Sequence, residues 1–126
     1  MTDARHSGLA AALYPAVMRA GAEIMRIFAA GAAFDSKADG SPVTAADHIA
    51  EEIILEALGK IAPGVPVVAE ESASNGILPD ASDDFFLVDP LDGTREFTAG
   101  RAEFTVNIAL IERRRPVFGL IFAPAL

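Results

Sequence analysis

The sequence predicts an α+β fold in which two amphipathic helices pack on a largely antiparallel sheet. Two observations lead there. Apolar residues recur with helical period as far as Ile61, and beyond Pro63-Gly64 they gather into short runs separated by turn formers. A chain of 126 residues without internal repeats or low-complexity tracts has room for one domain, residues 1–126.

Leu9, Leu13, Val17, Ile24 and Phe28 keep one face of a first helix apolar, with Gly31 as its stop. Pro15 lies inside that stripe, so the helix is expected to start after it or to kink there. The polar stretch "FDSKADGSPV", residues 34–43, is a connection. A second helix should begin near Thr44, carry Ile49, Ile53, Ile54, Leu58 and Ile61 as its stripe, and end at Pro63-Gly64. Residues 65–69 read as a short strand running into Glu70 and Glu71, and residues 72–84 as a polar loop with turns at Asn75-Gly76 and Pro79-Asp80. Residues 85–88 form a buried strand. Residues 104–111 and 117–122 are two more, joined as a hairpin across 113–116. Leu120 and Phe122 should face one side of the last strand, with Phe118 beside them, and Ile121 the other. Two helices cannot cover both faces, so an apolar surface prone to association is expected.

Composition narrows the ligands. Eighteen acids against ten bases give a net charge of −8, which disfavours binding to a nucleic-acid polymer or to a bare phosphate. A phosphate would need a metal ion to draw it in. There is no cysteine, and His6 and His48 stand alone, so such a metal would sit on oxygen ligands: magnesium, calcium or manganese. The apolar run at residues 8–18 is far short of the ~20 residues of a spanning helix. The "AGA" at 20–22 only faintly resembles a cleavage site, since Asp3 offsets Arg5 and Arg19 interrupts the run. The segment reads as a mature helix of a cytoplasmic protein, with peripheral attachment at the inner membrane left open.

Three acidic motifs remain. In "SPVTAADH", Asp47 follows Thr44 by three residues and could be the acid of a helix-capping arrangement. Held in a first helical turn, the same carboxylate could instead orient a water or a metal. In "AEES" two adjacent glutamates would ordinarily be a solvated loop, but they follow an apolar strand, and sheet ends are where sites are built. In "FFLVDPLDGTREF" a surface turn would account for Pro90 and Gly93 and leave the paired Asp89 and Asp92 unexplained. Two carboxylates after a buried strand repel each other and are poorly solvated. A divalent cation removes that cost, with the Leu91 carbonyl as a further hard ligand. Gly93 and Thr94 would then offer amides to an anion at the start of a helical turn, "TREF".

With "AEES" and "SPVTAAD" upstream in the same order, "VDPLDGTREF" resembles the lithium-sensitive, magnesium-dependent phosphatases, the inositol monophosphatase superfamily. "KADGSPVTAAD", "DPLDGTREF", "GRAEFTVNIALI" and "GLIFAPAL" look most like its CysQ-type bisphosphate nucleotidase branch. Inositol monophosphatases more typically carry Asn-Phe where this chain has Glu96-Phe97, and Arg95 stands where a lysine is expected. The resemblance runs from about Lys37 to Leu126.

It implies the N-terminal αβ layers of a layered αβαβα sandwich. Glu70, Asp89 and Asp92, with the Leu91 carbonyl, would ligate Mg2+. Asp47 and Thr94, alongside Glu70, would hold and deprotonate the attacking water. Gly93 and Thr94 amides would grip the phosphate, so that Glu70, Asp89, Leu91, Asp92, Gly93 and Thr94 line the substrate. Li+ or Ca2+ would inhibit. The implied activity is conversion of 3′-phosphoadenosine 5′-phosphate, a by-product of sulfate assimilation, to AMP and phosphate. Inositol-1-monophosphatase and a non-catalytic metal-binding fragment are the alternatives. The family places a further metal-binding aspartate in a C-terminal tryptophan-aspartate motif, and this chain has no tryptophan. It is therefore expected to be the N-terminal portion, with a small phosphorylated substrate and either itself or the C-terminal portion as partner.

Overall fold

A computed structural model describes residues 8–30, 42–69 and 84–126. In chain order the elements are α1 (Leu9–Ala29), α2 (Pro42–Ile61), β1 (Val67–Ala69), β2 (Phe85–Asp92), α3 (Thr94–Thr98), β3 (Thr105–Glu112) and β4 (Arg115–Phe122). The strands form one sheet in the order β1-β2-β3-β4, with β1 parallel to β2 and the other two pairings antiparallel. This is the α+β arrangement the sequence predicts, with the helical turn expected at "TREF" present as α3. No helix among the described residues is long and apolar enough to cross a membrane.

The core lies between the two long helices and one face of the sheet. Phe86 and Val88 of β2 stand opposite Leu110 and Ile108 of β3, which stand opposite Phe118 and Leu120 of β4. These side chains share a cluster with Leu13, Val17, Ala20 and Ile24 of α1 and Val43, Ala46, Ala50, Ile54 and Leu58 of α2. Gly21 lets α1 approach β4 closely, because a methyl group there would run into the ring of Phe122. The opposite face of the sheet carries Ile121, which is 76% exposed, and Val117, also exposed. Among the described residues nothing packs over these two side chains, although Phe85, Leu87, Ala109 and Ile111 elsewhere on this face are half-buried.

Several boundaries differ from the sequence reading. Helix α1 runs through Pro15 from a start at Leu9. Pro15 and Ala11, whose carbonyl it deprives of a donor, are both exposed, so water can take the missing bond. Helix α2 begins at Pro42, because proline's fixed φ suits a first helical position and its missing N–H costs nothing there. Thr44 and Asp47 therefore lie inside the helix, and Thr44 is not its N-cap residue. Strand β1 is shorter than expected, starting at Val67, and β2 continues past Val88 to Asp92.

The β3–β4 hairpin is also tighter. Glu112 pairs with Arg115, leaving Arg113 and Arg114 as a two-residue turn with φ of 51° and 69°. Such turns favour Asn-Gly because both residues are left-handed, a conformation costing an ordinary L-residue roughly 1–2 kcal/mol. Arg114→Gly should therefore stabilise the chain by about 1 kcal/mol and raise its melting temperature by a few degrees. A lower melting temperature would mean that the Arg114 side chain holds the turn through its own contacts.

Candidate functional site

In a regular strand, residues three apart point to opposite faces, which would separate Asp89 from Asp92. The β2–β3 register prevents this. Asp89 pairs with Asn107 and Asp92 with Thr105, with an irregularity between them. Three steps along β2 thus match two along β3, so β2 carries one extra residue, a β-bulge. Thr105 and Asn107 are two apart and share a face, and side chains directly opposite in an antiparallel pair lie on the same side. The bulge therefore brings both carboxylates to the face turned away from the helices. It also explains Pro90, which cannot donate to a sheet ladder and is tolerated at a bulge. Pro90 and Leu91 are buried, whereas Asp89 is half-buried and Asp92 exposed. The Asp-Pro-Leu-Asp stretch is thus irregular strand, and a surface turn is ruled out.

The chain then turns on Gly93, with φ of 93°. A Cβ there would lie 2.8 Å from the Glu103 carbonyl oxygen and 3.1 Å from Phe104 Cα. Only glycine meets both conditions. The turn delivers Thr94 to the start of α3, where the Phe97 amide donates to the Gly93 carbonyl at 3.0 Å. The fully buried Phe97 pins α3 in place, its ring packed with those of Phe28 and Phe104 at centroid separations of 5.4 and 5.3 Å. Gly93→Ala should cost roughly 2 kcal/mol or more, from the positive φ and from a contact that only backbone movement can relieve. A thermal melt unchanged by this substitution would show that the turn is more pliable than its geometry implies.

Asp47 is half-buried on α2, next to the fully buried Ala46, and α2 packs against both β2 and α3. Thr44, Asp47 and Asp89 each have a partner. Glu70 lies outside the described residues. Its neighbour Ala69 pairs with Val88, the residue before Asp89. Among the described residues no three acidic or histidine side chains group closely enough to hold a metal. The sequence reading passed over Thr105 and Asn107. Their signal is the alternation Thr-Val-Asn-Ile at 105–108, which sets two polar side chains on one face of an apolar strand.

The profile of the inositol monophosphatase family matches residues 6–126. The chain belongs to this family. It is 44% identical over 109 residues to the 3′(2′),5′-bisphosphate nucleotidase CysQ of Shigella flexneri, a match that takes in 85% of this chain and 44% of the relative. Among solved structures of the family, CysQ from Bacteroides thetaiotaomicron superposes with a TM-score of 0.73 at 38% identity, over 91% of this chain and 42% of that one. An inositol monophosphatase from Zymomonas mobilis gives 0.77 at 35% identity, over 97% and 46%. The chain thus spans less than half the length of these relatives.

Proposed function

We propose that this chain carries the metal- and phosphate-binding half of a magnesium-dependent phosphomonoester hydrolase, acting on 3′-phosphoadenosine 5′-phosphate to give AMP and phosphate. The supporting observation is the bulge that sets Asp89 and Asp92 on one face of the sheet, directly before the Gly93 turn. Membership of the inositol monophosphatase family, whose enzymes are generally magnesium-dependent, and the likeness to CysQ nucleotidases point the same way.

The donor set suits Mg2+. Two carboxylates and the Leu91 carbonyl are hard oxygen donors, and Glu70, next after Ala69, would complete them. When bound, the ion offsets charge on the phosphate and lowers the pKa of water. Gly93 and Thr94 amides bind phosphate oxygens. The Thr94 hydroxyl and the Asp47 carboxylate hold the attacking water, whose proton passes to the carboxylate. The water oxygen forms a bond to phosphorus as the ester P–O bond breaks on the far side, and the leaving alkoxide is protonated from solvent.

Phosphate release from 3′-phosphoadenosine 5′-phosphate and from inositol 1-phosphate, measured on the natural gene product containing this chain, tests the assignment. Faster turnover of the nucleotide is expected. A preference for inositol 1-phosphate would move the protein to the other branch, and no turnover with either would leave a metal-binding module. For the bare sheet face, the occupant would be a second copy or the part of the relatives that this chain does not span. The 126-residue chain alone should accordingly self-associate in sedimentation experiments, and Ile121→Lys should weaken that. A stable monomer would sink this expectation.

A further inference from the structure

We infer that Phe28, in the last turn of α1, is a positioning residue that fixes the phosphate-gripping turn at Gly93-Thr94 through two other phenylalanines. This rests on the phosphate site proposed above. The rings of Phe28, Phe97 and Phe104 come from α1, from α3 and from the segment just before β3, and each touches the other two. Their centroids are 5.4 Å apart for Phe28 and Phe97, 5.0 Å for Phe28 and Phe104, and 5.3 Å for Phe97 and Phe104. All three pairs are tilted or edge-on, the arrangement that aromatic quadrupoles favour.

Two of these residues hold Gly93 directly. The Phe97 amide donates to the Gly93 carbonyl at 3.0 Å, and Phe97 lies three residues beyond Thr94 in the same helical turn. From the other side, Phe104 backs onto Gly93 so closely that a Cβ there would stand 3.1 Å from Phe104 Cα and 3.2 Å from its Cβ. Phe97 and Phe104 are fully buried, and Phe28, half-buried, braces both from a helix outside the motif. Two amides grip one oxyanion only when both point at it, so a small rotation of α3 costs phosphate affinity. Asp89 and Asp92 are held differently, by the pairing of β2 with β3. Phosphate and metal therefore depend on separate supports, and that separates positioning from general packing.

The natural gene product containing this chain and its Phe28→Leu and Val17→Ala variants should be titrated calorimetrically, well below their melting temperatures. Mg2+ is added first, then inorganic phosphate at saturating Mg2+. Leucine keeps an apolar side chain at position 28 and loses both ring contacts. Val17→Ala truncates a buried side chain about 16 Å away along α1 and shows what lost packing alone does. Phe28→Leu should bind phosphate on the order of 10-fold more weakly at unchanged Mg2+ affinity. Val17→Ala should lower the melting temperature and leave both affinities as they are. Unaltered phosphate affinity in Phe28→Leu, or an equal loss in Val17→Ala, overturns this inference alone. A wild-type protein that binds no phosphate beside Mg2+ overturns the proposed function and this inference with it. Should Phe28→Leu fail to fold, Phe28→Met decides, since methionine adapts to irregular space.

Discussion

Asp92→Asn is expected to weaken Mg2+ binding by more than the ~10–100-fold typical of losing an outer hydrogen-bond partner, because it removes a charged ligand outright. The same change should leave the metal-free chain as stable as before, or slightly more so. Asp92 is exposed and asparagine is nearly isosteric with it, so no packing is lost. What disappears is the repulsion between two carboxylates that the bulge holds on one face. A merely structural aspartate would give the reverse, a less stable chain with unaltered metal affinity. Equal Mg2+ affinity in the two proteins, measured by calorimetry, would sink the metal assignment.

The parts of this molecule that could be read in its sequence are those where side-chain pattern and backbone agree. Leu13, Val17 and Ile24 mark the buried stripe of α1 because large apolar residues recur at helical spacing and all of them go inward. On α2 the pattern holds at Ile54 and Leu58, which are fully buried, and is less exact at the edge of the stripe. Ile49 and Ile53 are only half-buried, while Ala46 and Ala50 are fully so, because close approach of the helix to the sheet selects small residues. A hydrophobic count undervalues them. In Asp-Pro-Leu-Asp the aspartates and the proline are turn formers that hide the strand, and the pairing with β3 that draws the stretch into the sheet is a long-range contact. Arg113-Arg114 carries no turn signal at all. Its tight geometry is imposed by the strands it joins. At the site, Asp89, Asp92, Gly93 and Thr94 stand out because consecutive motif residues announce themselves. Thr105 and Asn107 do not, since only the register shows what they face. Glu70 was legible as a candidate and lies outside the described residues.

The second large effect concerns the water. In the natural gene product, Thr94→Val should lower kcat by ~10²–10⁴-fold, the usual contribution of assistance to proton transfer. Mg2+ affinity should change little, because the proposed ligands are Asp89, Asp92, the Leu91 carbonyl and Glu70. The substitution keeps the shape of the side chain, and the backbone around it is held by Gly93 on one side and the buried Phe97 on the other. A fall in kcat therefore reports the hydroxyl itself. Asp47→Asn should produce a comparable loss, since the carboxylate and the hydroxyl are proposed to act on one water. Residues that act as a unit are strongly non-additive, so the double variant should be hardly slower than the worse single variant. Losses that multiply would separate the two residues into independent roles. An unchanged kcat in Thr94→Val would reduce Thr94 to the first residue of a one-turn helix, and Asp47 to a half-buried acid inside α2.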